Sequence, residues 1–181
     1  MLYQFIEVDD LKEIQQAVLE KIPEELLKKN DLFYIKDSIN FFLDIPHVKN
    51  LLDRLGFTEH IHDNGIAVNV TMPGVELPIH YDSDKFIYSF NIPILNYEST
   101  YVNFWETDSQ PKDFPRVHPV YKTTVVSKAY DRKLCKLVER IEPLKPVVIN
   151  TRLPHNVTNK TDKIRVMLLV RLANSVNHLF D

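Results

Sequence analysis

Four side chains between residues 80 and 165 have types and spacings that could do chemistry together. His80 and Asp82 stand two apart in Pro78-Ile-His-Tyr-Asp82, His155 sits in Leu153-Pro-His-Asn156, and Arg165 follows ten residues later. Two imidazoles and one carboxylate supply two neutral nitrogen donors and one hard anionic oxygen. That is the ligand set of the facial triad at non-haem Fe(II) centres, which leaves open positions on the metal for a cosubstrate and O2. An arginine beyond the second histidine adds a planar fork of donors that could hold an anionic cosubstrate beside such a metal.

The elements around these residues must bring them together. His80 and Asp82 precede an expected strand over Phe86–Ile94, and their i, i+2 spacing lets both side chains share a face. Along that strand Phe86, Tyr88 and Phe90 alternate with Ile87, Ser89 and Asn91. His155 follows a strand at Val147–Ile149, and Arg165 opens the last strand, Ile164–Leu172. Antiparallel pairing across the turn Asn159-Lys-Thr-Asp162 would bring these two onto a common face. Ile66–Val70, Tyr101–Trp105 and Val117–Val126 read as further strands, with turn signals at Asp63-Asn-Gly65 and Pro73-Gly74. Leu134–Ile141 fits either period. Eight or so short strands argue for a sandwich or small barrel rather than a doubly wound sheet.

Residues before 57 read differently. Asp9 or Asp10 can cap a helix carrying Leu11, Ile14, Ala17, Val18 and Leu19. Pro23 suits the first turn of a short helix with Leu26 and Leu27 that stops near Asn30, and Val48–Leu55 forms another ended by Gly56. Leu32–Ile35 reads as a short strand. The expected fold is therefore mostly β with α, a β core buttressed by N-terminal helices. A single domain is expected over 1–181, with 1–56 as mainly helical support, 57–172 as the core and 173–181 as a C-terminal tail.

Composition excludes several classes. The single cysteine, Cys135, rules out an intramolecular disulfide or a cysteine zinc cluster. A net charge of -3 and a pI near 6.2 give no global pull toward nucleic acid or anionic membrane. Lys28-Lys29 and Arg132-Lys133 are too short for basic patches, so no nucleic-acid partner is expected. No apolar run approaches the ~20 residues of a membrane helix. The N-terminus has neither the basic start nor the apolar stretch of a signal peptide. No membrane association and a cytoplasmic location are expected. Asn156-Val-Thr158 and Asn159-Lys-Thr161 match the glycosylation pattern, which carries no weight in a chain that is not secreted.

Three stretches carry a resemblance: Pro73-Gly-Val-Glu-Leu-Pro-Ile-His-Tyr-Asp82, Val148-Ile-Asn-Thr-Arg-Leu-Pro-His-Asn-Val157 and Lys163-Ile-Arg-Val-Met-Leu-Leu-Val170. Over residues 57–172 the chain resembles the double-stranded β-helix (jelly-roll, cupin-type) 2-oxoglutarate/Fe(II) oxygenases. It is most similar to the aspartyl/asparaginyl β-hydroxylase-like branch, in which the second histidine and the arginine are ten apart. The resemblance implies that His80, Asp82 and His155 bind Fe(II) and that Arg165 pairs with the distal carboxylate of 2-oxoglutarate. It also implies that inward positions on the strand after the first histidine, here Ser89 and Asn91, add polar contacts to that cosubstrate. The β-hydroxylases carry basic residues at those two positions, so this chain departs from them there. Some related oxygenases have serine two residues after the arginine, where this chain has Met167.

The implied activity is a dioxygenase reaction. A small molecule, or an amino-acid or protein side chain, is hydroxylated with O2 while 2-oxoglutarate is decarboxylated to succinate. The alternative is a non-catalytic cupin-like module holding a metal or another ligand, for which a carboxylate clamp at Arg165 has no purpose.

The second ring nitrogens of the two histidines need partners, and Asn150, Thr151, Asp84 and Tyr88 are near enough in sequence to serve. Trp105 is the first candidate to line a substrate pocket. His60 and His62 read as a solvated pair, and His47, His118 and His178 as surface or half-buried residues. Arg152 and Arg171 read as surface charges, and Cys135 as an inert buried thiol.

Overall fold

The computed structural model describes residues 1–28, 31–33, 38–82, 86–117 and 124–173. Before residue 61 the elements are β1 (Tyr3–Phe5), α1 (Leu11–Lys21), β2 (Asp31–Phe33), α2 (Ser38–Leu43) and α3 (Pro46–Arg54). Short 3-10 turns cover Glu24–Lys28 and Thr58–His60. Then follow β3 (Ile61–Thr71), β4 (His80–Tyr81), β5 (Phe86–Leu95), β6 (Thr100–Glu106), β7 (Lys112–Val117) and β8 (Thr124–Ala129). A 3-10 turn at Arg132–Leu134 leads into β9 (Lys136–Ile141), β10 (Val147–Asn150), β11 (His155–Asn159) and β12 (Arg165–Ala173). The expected stop near Asn30, Tyr34 and Ile35 of the expected first strand, Asp84, His118, His178 and the tail beyond Ala173 lie outside the described residues.

The strands form two six-stranded sheets, ordered β1-β10-β5-β12-β3-β2 and β7-β8-β4-β11-β6-β9, and every recorded pairing is antiparallel. Alternation along the central strands of the first sheet sorts the side chains. One face carries Ile66, Val68, Val70, Phe90, Ile92, Val166, Leu168, Val170 and Leu172, all buried and packed in one cluster with Ile14 and Val18 of α1, Phe42 of α2 and Val48, Leu51 and Leu52 of α3. The other face carries Asn69, Ser89, Asn91, Arg165 and Arg171 together with apolar Ile149 and Leu169, and lines the pocket described below. Helices thus cover one side of this sheet and leave its opposite face to the site.

The helices start and stop for local reasons. Asp10 precedes α1 as expected, yet its side chain does not cap. Its carboxylate instead accepts from the Arg54 guanidinium at 2.8 Å, tying α1 to α3. Pro46 occupies the first turn of α3, where its missing N–H costs nothing. Gly56 ends it at φ +67, a left-handed position that glycine takes without strain.

Asp63-Asn-Gly65 departs from expectation. It lies inside β3 rather than in a turn. Opposite it, Val170 pairs with Ile66 and Leu172 with Ile61, so extra residues bulge out of β3, with Gly65 at φ +59. Glycine at positive φ is as much a bulge signal as a turn signal. Pro73-Gly74 is a turn as expected, with Gly74 at φ +71. Among the described residues, no helix is long and apolar enough to cross a membrane.

Candidate functional site

The pairing of β4 with β11 builds the centre of the site. His80 and His155 are direct register partners, and their ring centroids lie 4.7 Å apart. Asp82 lies just past β4, where its backbone N–H donates to the Thr151 carbonyl at 3.0 Å. Thr151 is itself fixed, its N–H and its hydroxyl both donating to the Ile87 carbonyl at 2.7 and 2.9 Å. The i, i+2 spacing then turns the Asp82 carboxylate to the side of His80, with Nε2 to Oδ1 at 3.5 Å. One ligand atom from each of His80, Asp82 and His155 lies within 4.8 Å of the others.

Both imidazoles are oriented by the same device. Nδ1 of His80 lies 2.8 Å from the Pro78 carbonyl, and Nδ1 of His155 lies 2.8 Å from the Leu153 carbonyl. A carbonyl only accepts, so each Nδ1 carries a proton, which leaves Nε2 as the nitrogen free to ligate whenever the ring is neutral. Two of the expected partners serve elsewhere: the Asn150 amide donates to the Met1 carbonyl, and the Thr151 hydroxyl to the Ile87 carbonyl. The useful signal was local, a carbonyl two residues before each histidine.

Electrostatics keep these groups in ligating form. Burial alone would raise Asp82, but the hydrogen bond from His80 and the fields of His155, His80 and Arg171 outweigh it, holding the carboxyl well below its usual range. Burial and the adjacent His80 push His155 down to about 4, although Asp82 and the Leu153 carbonyl pull the other way. At neutral pH the set therefore presents a carboxylate and a neutral His155 imidazole, a donor set that fits a divalent metal such as Fe(II).

Arg165 lies on the inner face of β12 at 1% exposure. Its Nε donates to the Thr100 hydroxyl at 3.1 Å and its NH1 to the Asn69 side-chain oxygen at 3.2 Å. Burial pushes its pKa down to about 9, which leaves it a cation at neutral pH. Thr100 pairs with Asn159 at the far end of β11. His155 and the residue that pairs with Thr100 are thus four residues apart on β11, roughly 13 Å along the strand. Asn159 fixes the turn between β11 and β12, its side-chain amide donating to the carbonyls of Thr71, Met72 and Lys163.

A pocket of about 140 Å³ joins the two halves. His80, Asp82, His155, Arg165, Ser89 and Asn91 all line it, so all six residues singled out from the sequence meet in one place. The Ser89 hydroxyl donates to the Asn91 side-chain oxygen at 2.7 Å, and both residues are buried.

Other readings change. Trp105 faces away from the pocket: its indole N–H donates to Asn156 at 2.9 Å, and the Arg132 guanidinium stacks over its ring at 4.5 Å. Arg171 is not a surface charge but a pocket residue at 5% exposure. Phe114 and Lys128, from β7 and β8, also line the pocket and carried no sequence signal. Cys135 is half-buried rather than buried, and its thiol donates to the Asp131 carbonyl at 3.3 Å. Arg152 and His47 are exposed, as expected, while His60 and His62 are half-buried. Asn156 and Asn159 are fully buried, so neither acceptor pattern offers a free amide.

No protein family matches the sequence, and no curated protein does either. Solved structures do match. A prolyl hydroxylase from Trichoplax adhaerens, in complex with a hypoxia inducible factor oxygen degradation domain peptide fragment, is 11% identical with a TM-score of 0.53, covering 99% of this chain and 87% of its own. EvdMO1 is also 11% identical at a TM-score of 0.53, with 96% of this chain and 47% of that one covered. CapF with its inhibitor 3-isopropenyl-tropolone is 14% identical at a TM-score of 0.29, over 60% of this chain. The chain spans 25% of CapF and about half of EvdMO1. At these identities the likeness is one of fold: a mostly β sandwich of the jelly-roll type, shared with the prolyl hydroxylase.

Proposed function

We propose that this chain is an Fe(II)- and 2-oxoglutarate-dependent oxygenase built on a double-stranded β-helix. In this reading it hydroxylates a small molecule or a peptidyl side chain and converts 2-oxoglutarate to succinate. One observation carries the reading: two histidines in direct register and one carboxylate share a pocket with a fully buried arginine anchored at its far end. A bare metal-binding module has no use for that arginine, whose burial is costly unless an anion meets it.

His80, Asp82 and His155 would hold the metal through Nε2, a carboxylate oxygen and Nε2. When bound, the metal and the cosubstrate supply the oxidising chemistry. The chain's own residues position and exclude. The Pro78 and Leu153 carbonyls keep the proton on Nδ1 of each ring. Arg165, held by Thr100 and Asn69, would receive the distal carboxylate of 2-oxoglutarate. Ser89 and Asn91 line the side of the same channel and would add polar contacts. The ten-residue spacing favours the aspartyl/asparaginyl β-hydroxylase-like branch, while Ser89 and Asn91 remain this chain's departure from it.

An anaerobic titration with Fe(II) and 2-oxoglutarate tests the reading through the weak visible charge-transfer band of the chelated cosubstrate. The expected result is a saturable band, abolished in His155→Ala and weakened in Arg165→Ala. Absence of both the band and iron uptake in the wild-type protein would sink the reading.

A further inference from the structure

Side chains alternate along β11, so the pocket residue His155 is followed by Asn156 on the opposite face. Asn156 is fully buried there, and its amide makes all four of the hydrogen bonds it can make. Its Oδ1 accepts from the Trp105 indole N–H at 2.9 Å and from the Asn103 amide at 3.0 Å. Its Nδ2 donates to the Leu77 carbonyl at 2.9 Å and to the Glu76 carboxylate at 3.2 Å. An indole N–H only donates and a carbonyl only accepts, so the amide has one possible orientation.

These contacts bracket both imidazoles. Trp105 grips the chain on either side of His155, its backbone N–H donating to the Pro154 carbonyl at 2.8 Å and its indole holding Asn156. On the way into β4, Leu77 is held at both of its backbone groups. Its N–H donates to the Val157 carbonyl at 2.9 Å, and its carbonyl accepts from Asn156. Pro78 follows and has no N–H to give. Beyond it the Ile79 carbonyl accepts from the Tyr130 N–H at 2.8 Å. The Pro78 carbonyl, which orients the His80 ring, thus hangs between two fixed points, and Asn156 supplies one of them.

We infer that Asn156 is a positioning residue for His80. By holding the Leu77 carbonyl, its amide aims the Pro78 carbonyl at Nδ1 of the ring and leaves Nε2 turned to the point where the three ligands converge. On the oxygenase reading, on which this inference rests, the residue sets how well His80 ligates without touching the metal, the cosubstrate or the pocket. The bond to Glu76 matters less, because that carboxylate is solvent-exposed and already paired with Arg132.

Asn156→Leu tests this, since leucine keeps the volume and donates to nothing. The metal-free protein is studied at about pH 8, where imidazole is neutral. Long-range proton–nitrogen correlation spectra of labelled histidine then report which ring nitrogen carries the proton. The wild-type protein should show Nδ1–H at both His80 and His155. In Asn156→Leu, His80 should pass to a mixture of tautomers while His155 keeps its Nδ1–H. Mn(II) affinity should fall by about tenfold, the lower end of the loss expected when the support of a ligating histidine is removed. Trp105→Phe disturbs the same outer face but leaves the bond to Leu77, so its His80 tautomer should match the wild type. An asparagine that only stabilises the fold would leave both rings unchanged or disturb them equally. His80 unchanged in Asn156→Leu, an equal shift at His155, an equal shift in Trp105→Phe, or Mn(II) affinity within about twofold of wild type each overturns the inference. If Asn156→Leu does not fold, the wild-type protein decides. Slow solvent exchange of the Asn156 amide with Nδ1–H at His80 then supports the inference, and rapid exchange or Nε2–H overturns it. If the wild-type protein binds no Mn(II), the functional reading falls alone, because the His80 tautomer is read without metal.

Discussion

Replacing Arg165 with methionine separates a cosubstrate clamp from a structural strut. The guanidinium is 1% exposed and makes two hydrogen bonds within the chain, to Thr100 and Asn69. Neither acceptor is orphaned by its loss. The Thr100 hydroxyl still donates to the Tyr97 carbonyl at 2.7 Å, and the Asn69 oxygen still accepts from the Thr71 hydroxyl at 3.2 Å. Methionine fills a similar volume without a buried charge, an exchange that is often neutral or stabilising. The melting temperature of the metal-free protein should therefore move by no more than about 4 °C, equivalent to roughly 1 kcal/mol in a domain of this size. The cosubstrate should suffer far more. Two charge-assisted hydrogen bonds to a carboxylate contribute about 1.5–3 kcal/mol each. Their joint loss weakens binding by roughly a hundredfold to ten-thousandfold. Calorimetric titration of the Mn(II)-loaded protein with 2-oxoglutarate under argon gives the second number, and a thermal scan gives the first. Affinity within about threefold of wild type, or a melting temperature lowered by more than about 10 °C, refutes the reasoning, because Arg165 would then be holding the fold together.

Three further outcomes follow from the structure. Asn159→Ala leaves the carbonyls of Thr71, Met72 and Lys163 without their shared donor, and urea denaturation should show a loss of about 2–4 kcal/mol. Gly65→Ala forces a Cβ onto a backbone at φ +59, costing about 1–2 kcal/mol by the same assay. His155 sets a pH dependence in the metal-free protein: its folded pKa lies near 4 against an ordinary 6.5, so the unfolded chain takes up the proton first. Stability should be fully present above pH 6.5 and fall by about 3 kcal/mol as the pH drops to 4, and His155→Gln should flatten that slope.

Much of the site was legible in the sequence because its residues sit on period-two strands or directly beside them. His80 and Asp82 share a face by spacing alone. His155 and Arg165 do not meet by the expected antiparallel pairing: β11 and β12 lie in different sheets, and the turn after Asn159 crosses between them so that both side chains line one pocket. The same alternation places Arg171 on the inner face of β12 that Arg165 also occupies, although an arginine late in a strand reads as surface until the facing sheet is known. What stayed hidden depends on contacts across the sandwich. Asn69 and Thr100 meet Arg165 only once β3 and β6 close on it, and Phe114 and Lys128 reach the pocket from a distant hairpin. Trp105 was misjudged because its face depends on the register of β6 against β11, which turns its indole toward Asn156. Asp63-Asn-Gly65 was misjudged because the backbone angle that makes a turn also makes a bulge.

β4 is two residues long and meets β11 at a single register pair, His80 with His155. A strand that short has little hydrogen bonding of its own and belongs at the low-stability end of the fold, where local opening starts. The pair that joins it to β11 is also the pair of imidazoles aimed at one point, 75 residues apart in the chain. An ion bound there would act as a clasp as well as a reagent, fastening a short seam of the second sheet and closing a long loop in one step. Loading the site would then also reinforce the sheet, because the atoms that hold the metal are the ones that join β4 to β11.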